Sequence, residues 1–129
     1  MSKKHSDTPK FRSGLEKSVW GAAQRYCKNM QFEPHYLPYV IKGSYLPDIL
    51  LPNGIYIEVK GRLDAGTQRK MRAVKQSNPD LDIRFVFQNA NQKVRKGGKL
   101  RYWEWAEKYD YPWSEGTIPR EWFEEESKY

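Results

Sequence analysis

From Ser13 onward apolar residues recur three and four places apart, at Leu15, Val19, Ala22 or Ala23, Tyr26 and Met30, which predicts an amphipathic helix. Ser13 is placed to cap it, and Glu16 stands at the third helical position, where it completes a capping box. Residues 35–41 have an extended pattern, but Pro38 has no N–H for a ladder, so the segment is an edge strand or a crossing arm. A period of two follows. Pro47-Asp48-Ile49-Leu50-Leu51 runs into the turn Pro52-Asn53-Gly54 and out through Ile55-Tyr56-Ile57-Glu58-Val59-Lys60, which predicts a β-hairpin. In its second strand Ile55, Ile57 and Val59 share one face and Tyr56, Glu58 and Lys60 the other. The first face builds the core, and the second carries chemistry or salt bridges. Residues 67–78 form a basic helix with a thin Met71 and Val74 stripe, ended by Asn78-Pro79. Residues 81–87 are a strand, 93–101 a loop around Gly97-Gly98, and about 100–109 an aromatic helix. The alternation reads as an α/β fold, a mixed sheet flanked by helices, in one domain over residues 11–129 behind a polar tail at 1–10.

The chain has 129 residues, long enough to bury a core without staples. Its single cysteine, Cys27, excludes an internal disulfide and reads as a packing residue, and the first residues do not resemble a signal peptide. The expected setting is therefore intracellular and reducing. No apolar run approaches a membrane span, and no membrane partner is expected.

Charge changes the picture more than composition does. The net charge is +7, but it divides into +3 over residues 1–59, +9 over 60–103 and −5 over 104–129. A central block this basic suits a polyphosphate, because each cation near a phosphate releases a condensed counterion. The candidate phosphate contacts in and around it are Arg62, Arg69, Lys70, Arg72, Lys75, Lys93, Arg95 and Lys96, joined by Arg12 and Ser13 beside Glu16. The acidic end is expected to face away from that partner.

The hairpin folds Asp48 back beside Glu58, so two carboxylates can share a divalent cation, with the Val59 carbonyl as a further ligand. Lys60, on the same face as Glu58, is placed to position and deprotonate a water for in-line attack on a phosphodiester. A Glu-x-Lys on a strand is by itself most often a solvated ion pair. What raises it here is the Pro-Asp before a tight turn, the upstream helical glutamate and the basic block. Neither His5 nor His35 has partners at zinc spacing. Trp103, Trp105, Trp113 and Trp122 read as core or interface anchors, and Tyr56 as a group able to orient a side chain or water.

Phe11-Arg-Ser-Gly-Leu-Glu16, Pro38-Tyr-Val-Ile41, Pro47-Asp48, Leu50-Leu-Pro-Asn-Gly-Ile55, Glu58-x-Lys-Gly61, Pro79-x-Leu-Asp-Ile-Arg84 and Ile118-Pro-x-Glu-Trp122 resemble, in that order, the endonuclease I family of T-seven-like phages. That family lies within the PD-(D/E)xK nuclease class. The resemblance implies a restriction-endonuclease-like core and resolution of four-way (Holliday) junctions and other branched DNA in the host cytoplasm. It implies that Glu16, Asp48 and Glu58 bind Mg²⁺, with Mn²⁺ also supporting activity, and that Lys60 is the catalytic lysine. It implies a domain-swapped homodimer in which residues 36–46 cross between subunits, so that Glu16 comes from one chain and Asp48, Glu58 and Lys60 from the other. The stretch before Pro47-Asp48 is shorter here than in the family. The acidic Glu124-Glu125-Glu126 also departs from the family's basic end, so phosphate contacts fall on the block from Lys60 to Arg101. The expected products carry 5′-phosphate and 3′-hydroxyl ends, and no small-molecule substrate is expected. Two other readings stay open: a monomeric nickase of the same class acting on mismatched or duplex DNA, and a DNA-binding protein without catalysis.

Overall fold

The computed structural model describes residues 9–39 and 43–127. Helix α1 spans Gly14–Ala23. The Ser13 hydroxyl accepts the Glu16 N–H at 3.1 Å, as a cap should. The Glu16 carboxylate reaches back to the Arg12 N–H at 2.9 Å, one residue earlier than a capping box requires. The helix ends at Ala23 instead of running to Met30. The Ala23 carbonyl is taken by a turn from Tyr26 and Cys27, and Tyr26, Cys27 and Asn29 are weak helix formers. Met30 still enters the core, from a loop.

The remaining elements are β1 (Gln31–Phe32), β2 (Leu37–Pro38), β3 (Ser44–Tyr45), β4 (Ile49–Leu50), β5 (Tyr56–Lys60), α2 (Ala65–Ser77), β6 (Ile83–Phe87), α3 (Tyr102–Lys108), β7 (Trp113–Glu115) and α4 (Arg120–Glu124). Five strands form a mixed sheet in the order β1-β4-β5-β6-β7. The first three pair antiparallel and the last three parallel, α2 and α3 supplying the crossovers. The predicted hairpin is present: Ile49 pairs with Ile57 and Leu50 with Tyr56, around a turn in which Gly54 takes a φ of 95°. Pro38 lies on a short strand outside the main sheet, pairing antiparallel with β3. Val40, Ile41 and Lys42, in the middle of the expected exchange arm, and residues 1–8 of the expected tail lie outside the described residues.

Both faces of the sheet are covered, which corrects the expectation that only one face of β5 builds the core. Ile55, Ile57 and Val59 pack with Val19, Trp20 and Ala23 of α1 and with Ile118. Tyr56, Phe85 and Phe87 pack with Met71 and Val74 of α2 and with Trp105 of α3. Parallel crossovers place helices over the strands and so bury the second face too. Helix α2 starts two residues before the predicted range because Asp64 caps it, its carboxylate accepting the Thr67 N–H at 2.8 Å. Strand β6 starts two residues late, since Leu81 closes a turn onto the Asn78 carbonyl. Trp105 is fully buried, while Trp103, Trp113 and Trp122 are half-buried.

At the Ile83 end of β6 the Arg84 guanidinium is held by Asp82 and Glu125 at 2.7–2.8 Å and lies 5.0 Å from the centre of the Trp122 ring. Asn53 in the hairpin turn donates to the carbonyls of Trp122 and Glu125. These bonds dock Trp122 and Glu125 at the end of the inner strands remote from Lys60, which pairs with Phe87 at the other end.

Candidate active site

The carboxyl end of β5 opens into a cleft of about 570 Å³ whose lining includes Arg12, Ser13, Glu16, Tyr45, Asp48, Glu58, Val59, Lys60, Arg62 and Lys70. The antiparallel register of β4 on β5 carries Asp48 next to Glu58. Both are buried, at 2% and 5% exposure. Two charges this deep need compensation.

Each carboxylate has one oxygen fixed by a neutral donor. Asp48 Oδ2 accepts the Val59 N–H at 2.7 Å, and Glu58 Oε1 accepts the Tyr45 hydroxyl at 2.6 Å. The second oxygens meet cations at longer range: Arg12 stands 3.5 Å from Asp48 Oδ1, and Lys60 Nζ 3.3 Å from Glu58 Oε2. Arg12 is mostly exposed and also pairs with Glu33 at 3.0 Å. This compensation is incomplete. Burial first, and then the Glu58 charge, push the Asp48 carboxyl from its ordinary 3.8 up to about 8, with the Glu16 charge adding to the rise.

Glu16 therefore faces the same cleft within the same chain, but its Oε1 is engaged by the Arg12 N–H. Among the described residues no group of three or more His, Cys, Asp and Glu side chains is gathered in metal-binding range. The donor set is a pair, Asp48 and Glu58, with Glu16 on the wall. It fits a hard divalent cation: two carboxylates buried side by side, each with one oxygen facing a cation only at 3.3–3.5 Å. Val59, whose carbonyl is the expected further ligand, also lines the cleft.

The expected phosphate contacts separate into three groups. Arg12, Ser13, Arg62 and Lys70 line the cleft. Arg69 is exposed on α2, and Lys93, Arg95 and Lys96 on the loop between β6 and α3. Arg72 and Lys75 are set on aromatic rings instead: Arg72 lies 5.0 Å from the centre of Tyr109, and Lys75 4.5 Å from that of Tyr111 while donating to the Asp110 carbonyl at 2.9 Å.

Sequence reasoning missed Tyr45 and Glu33. It singled out Tyr56 to orient a neighbour, but the Tyr56 hydroxyl bonds His35 at 2.7 Å, and Tyr45 is the tyrosine on Glu58. Glu33 has a φ of 45° and gives its N–H to the Asp48 carbonyl at 2.7 Å. No local pattern marks either residue.

A family model for phage endonuclease I matches residues 1–129. The chain is 38% identical over 121 residues to Endonuclease I of Escherichia phage T7, covering 92% of this chain and 81% of that relative. It is 40% identical over 112 residues to Endodeoxyribonuclease 1 of Enterobacteria phage T3, covering 84% and 74%.

Proposed function

The chain belongs to the phage endonuclease I family, and on that premise we propose that it is a metal-dependent, structure-selective DNA endonuclease that resolves four-way junctions and other branched DNA. The observation that carries the reading is the pair of buried carboxylates, Asp48 and Glu58, facing a cation-lined cleft with Lys60 beside them. Asp48, Glu58 and the Val59 carbonyl would hold Mg²⁺ or Mn²⁺, with Glu16 reaching in from α1. When bound, the metal supplies Lewis-acid stabilisation of the phosphate and an acidified water.

The chain's own residues do the rest. Lys60 places its ammonium at the mouth of the cleft, where it orients the attacking water and offsets charge growing on the phosphate. Arg12, Ser13, Arg62 and Lys70 guide the backbone in, while Arg69, Lys93, Arg95 and Lys96 track the arm beyond it. Arg72 and Lys75 contribute to this path at longer range. Such contacts select shape and not sequence. Hydrolysis leaves 5′-phosphate and 3′-hydroxyl ends.

The working unit is a homodimer in which residues 36–46 cross over, so that contacts α1 makes here on its own β5 are made on the partner's. A two-fold dimer presents equivalent sites to two equivalent strands of a junction.

Incubation of the protein with a synthetic four-way junction and a linear duplex in Mg²⁺ tests the reading. Preferential cutting of the junction supports it, and equal or absent cutting refutes it. Mixed dimers of Glu16→Ala and Lys60→Ala chains test the exchange: one site in each is wholly wild type, so nicking returns, whereas verified heterodimers without activity rule the crossing out.

A further inference from the structure

The tyrosine on Glu58 is placed to do more than fill the core. Tyr45 is 1% exposed and sits on β3, across from Leu37 of β2. Its ring carries Lys70 of α2 at 5.8 Å, and Asn78 at the end of α2 holds the Pro38 carbonyl of the same hairpin at 2.7 Å. The hydroxyl is thus fixed by elements that do not belong to β5. From there it donates to Glu58 Oε1 at 2.6 Å, a short charge-assisted bond.

One oxygen of Glu58 is thereby occupied and the other, Oε2, is left beside Lys60 at 3.3 Å. Asp48 is treated in the same way by the Val59 N–H. The two carboxylates differ in what fixes them: Asp48 is held by backbone, which no substitution of a side chain removes, and Glu58 by a single phenol. A carboxylate free of that phenol can rotate and offer either or both oxygens to a cation.

We propose that Tyr45 is a positioning residue for metal binding, its hydroxyl holding Glu58 as a one-oxygen ligand with Oε2 turned to the cation and to Lys60. This rests on the metal-site reading above. It also makes the pairing of β2 with β3 a support for the geometry of the metal ligand. A hydrogen-bond partner of a ligand generally alters metal affinity or activity by about 10- to 100-fold.

The test uses Tyr45→Phe in the full-length protein, which keeps the ring under Lys70 and removes only the donor. Mn²⁺ binding is followed by electron paramagnetic resonance without DNA. Junction binding is measured in EDTA, and single-turnover cleavage across a Mg²⁺ series. Glu58→Gln and Leu37→Val are run alongside. The expected result is Mn²⁺ affinity lowered about 10-fold, a matching rise in the Mg²⁺ needed for half-maximal cleavage, and unchanged junction affinity. Leu37→Val, which loosens the same hairpin without touching the hydroxyl, is expected to leave Mn²⁺ affinity within about two-fold of wild type. Wild-type Mn²⁺ affinity in Tyr45→Phe overturns the proposal. So does an equal loss in Leu37→Val, which would make Tyr45 simply structural. If Glu58→Gln keeps full Mn²⁺ binding, the failure lies in the metal-site reading and the proposal falls with it.

Discussion

Two clusters of carboxylates and cations stand at opposite ends of β5 and β6, and they are built to different rules. At the Ile83 end the Arg84 guanidinium meets Asp82 and Glu125 through four hydrogen bonds of 2.7–2.8 Å, and both oxygens of each carboxylate are engaged. At the Lys60 end two carboxylates lie deeper, yet each has one oxygen bound at 2.6–2.7 Å and one facing a cation at 3.3–3.5 Å. The first cluster is saturated and locked by a planar, bidentate partner. The second retains free acceptor capacity where burial makes it most expensive to retain. The first arrangement holds the fold; the second is the one that the proposed cation requires.

The comparison breaks most visibly in the activity of variants. Asp48→Asn, Glu58→Gln and Lys60→Ala are each expected to lower junction cleavage by about 100-fold or more, with junction binding in EDTA retained. Asp48→Asn is expected at the same time to raise the thermal midpoint in EDTA near neutral pH, since it removes a buried carboxyl that must take up a proton on folding. Single-turnover cleavage and thermal melts of the same samples decide it; a lowered midpoint would mean that Asp48 holds the fold as Arg84 does. The mirror experiment is Arg84→Met. Removing the guanidinium leaves Asp82 and Glu125 against each other, and with Glu125 about a third exposed the loss should be about 2 kcal/mol in urea unfolding. Cleavage per folded molecule should stay within about two-fold of wild type, because this cluster lies off the cleft.

A pH titration sharpens the same contrast. The Asp48 carboxyl sits at about 8 in the folded protein against an ordinary 3.8, so between those values the folded state holds a proton that the unfolded chain has released. The contribution of Asp48 to stability in EDTA is then full below about pH 4 and is lost as pH rises through about 8. A divalent cation needs the deprotonated form, so the stabilisation by Mg²⁺ should grow from pH 6 to pH 9. Asp48→Asn should flatten both trends in thermal melts, and a slope unchanged by that substitution would assign it to another group.

How much of this was legible in the sequence follows from the range of each interaction. Ser13 and Glu16 announce the start of α1, and Pro52-Asn53-Gly54 between apolar runs announces the hairpin, because caps and turns are settled within four residues. The hairpin in turn brings Asp48 to Glu58. The end of α1 was misjudged because Tyr26 and Met30 keep the helical spacing while serving a turn and a loop. Strand β7 and helix α4, of three and five residues, are too short to show a period. Tyr45 on Glu58, Glu33 on Arg12 and Glu125 on Arg84 join residues 13, 21 and 41 apart; nothing local encodes such meetings.

The smallest effect concerns cations that look alike in the sequence and differ in the fold. Arg62 is exposed on the cleft wall, whereas Lys75 lies over the Tyr111 ring, donates to the Asp110 carbonyl and, through burial, has its ammonium pushed below its ordinary value. A cation that displaces a counterion from DNA adds about one to the slope of log affinity against log salt. Arg62→Ala should therefore reduce the slope for junction binding by about one, measured in EDTA between about 50 and 200 mM salt. Lys75→Ala should change that slope by less and lower stability instead, because the contact it loses is with Tyr111 and Asp110. Equal slope changes in the two variants would mean that the basic block acts through its total charge and not through the cations that the cleft presents.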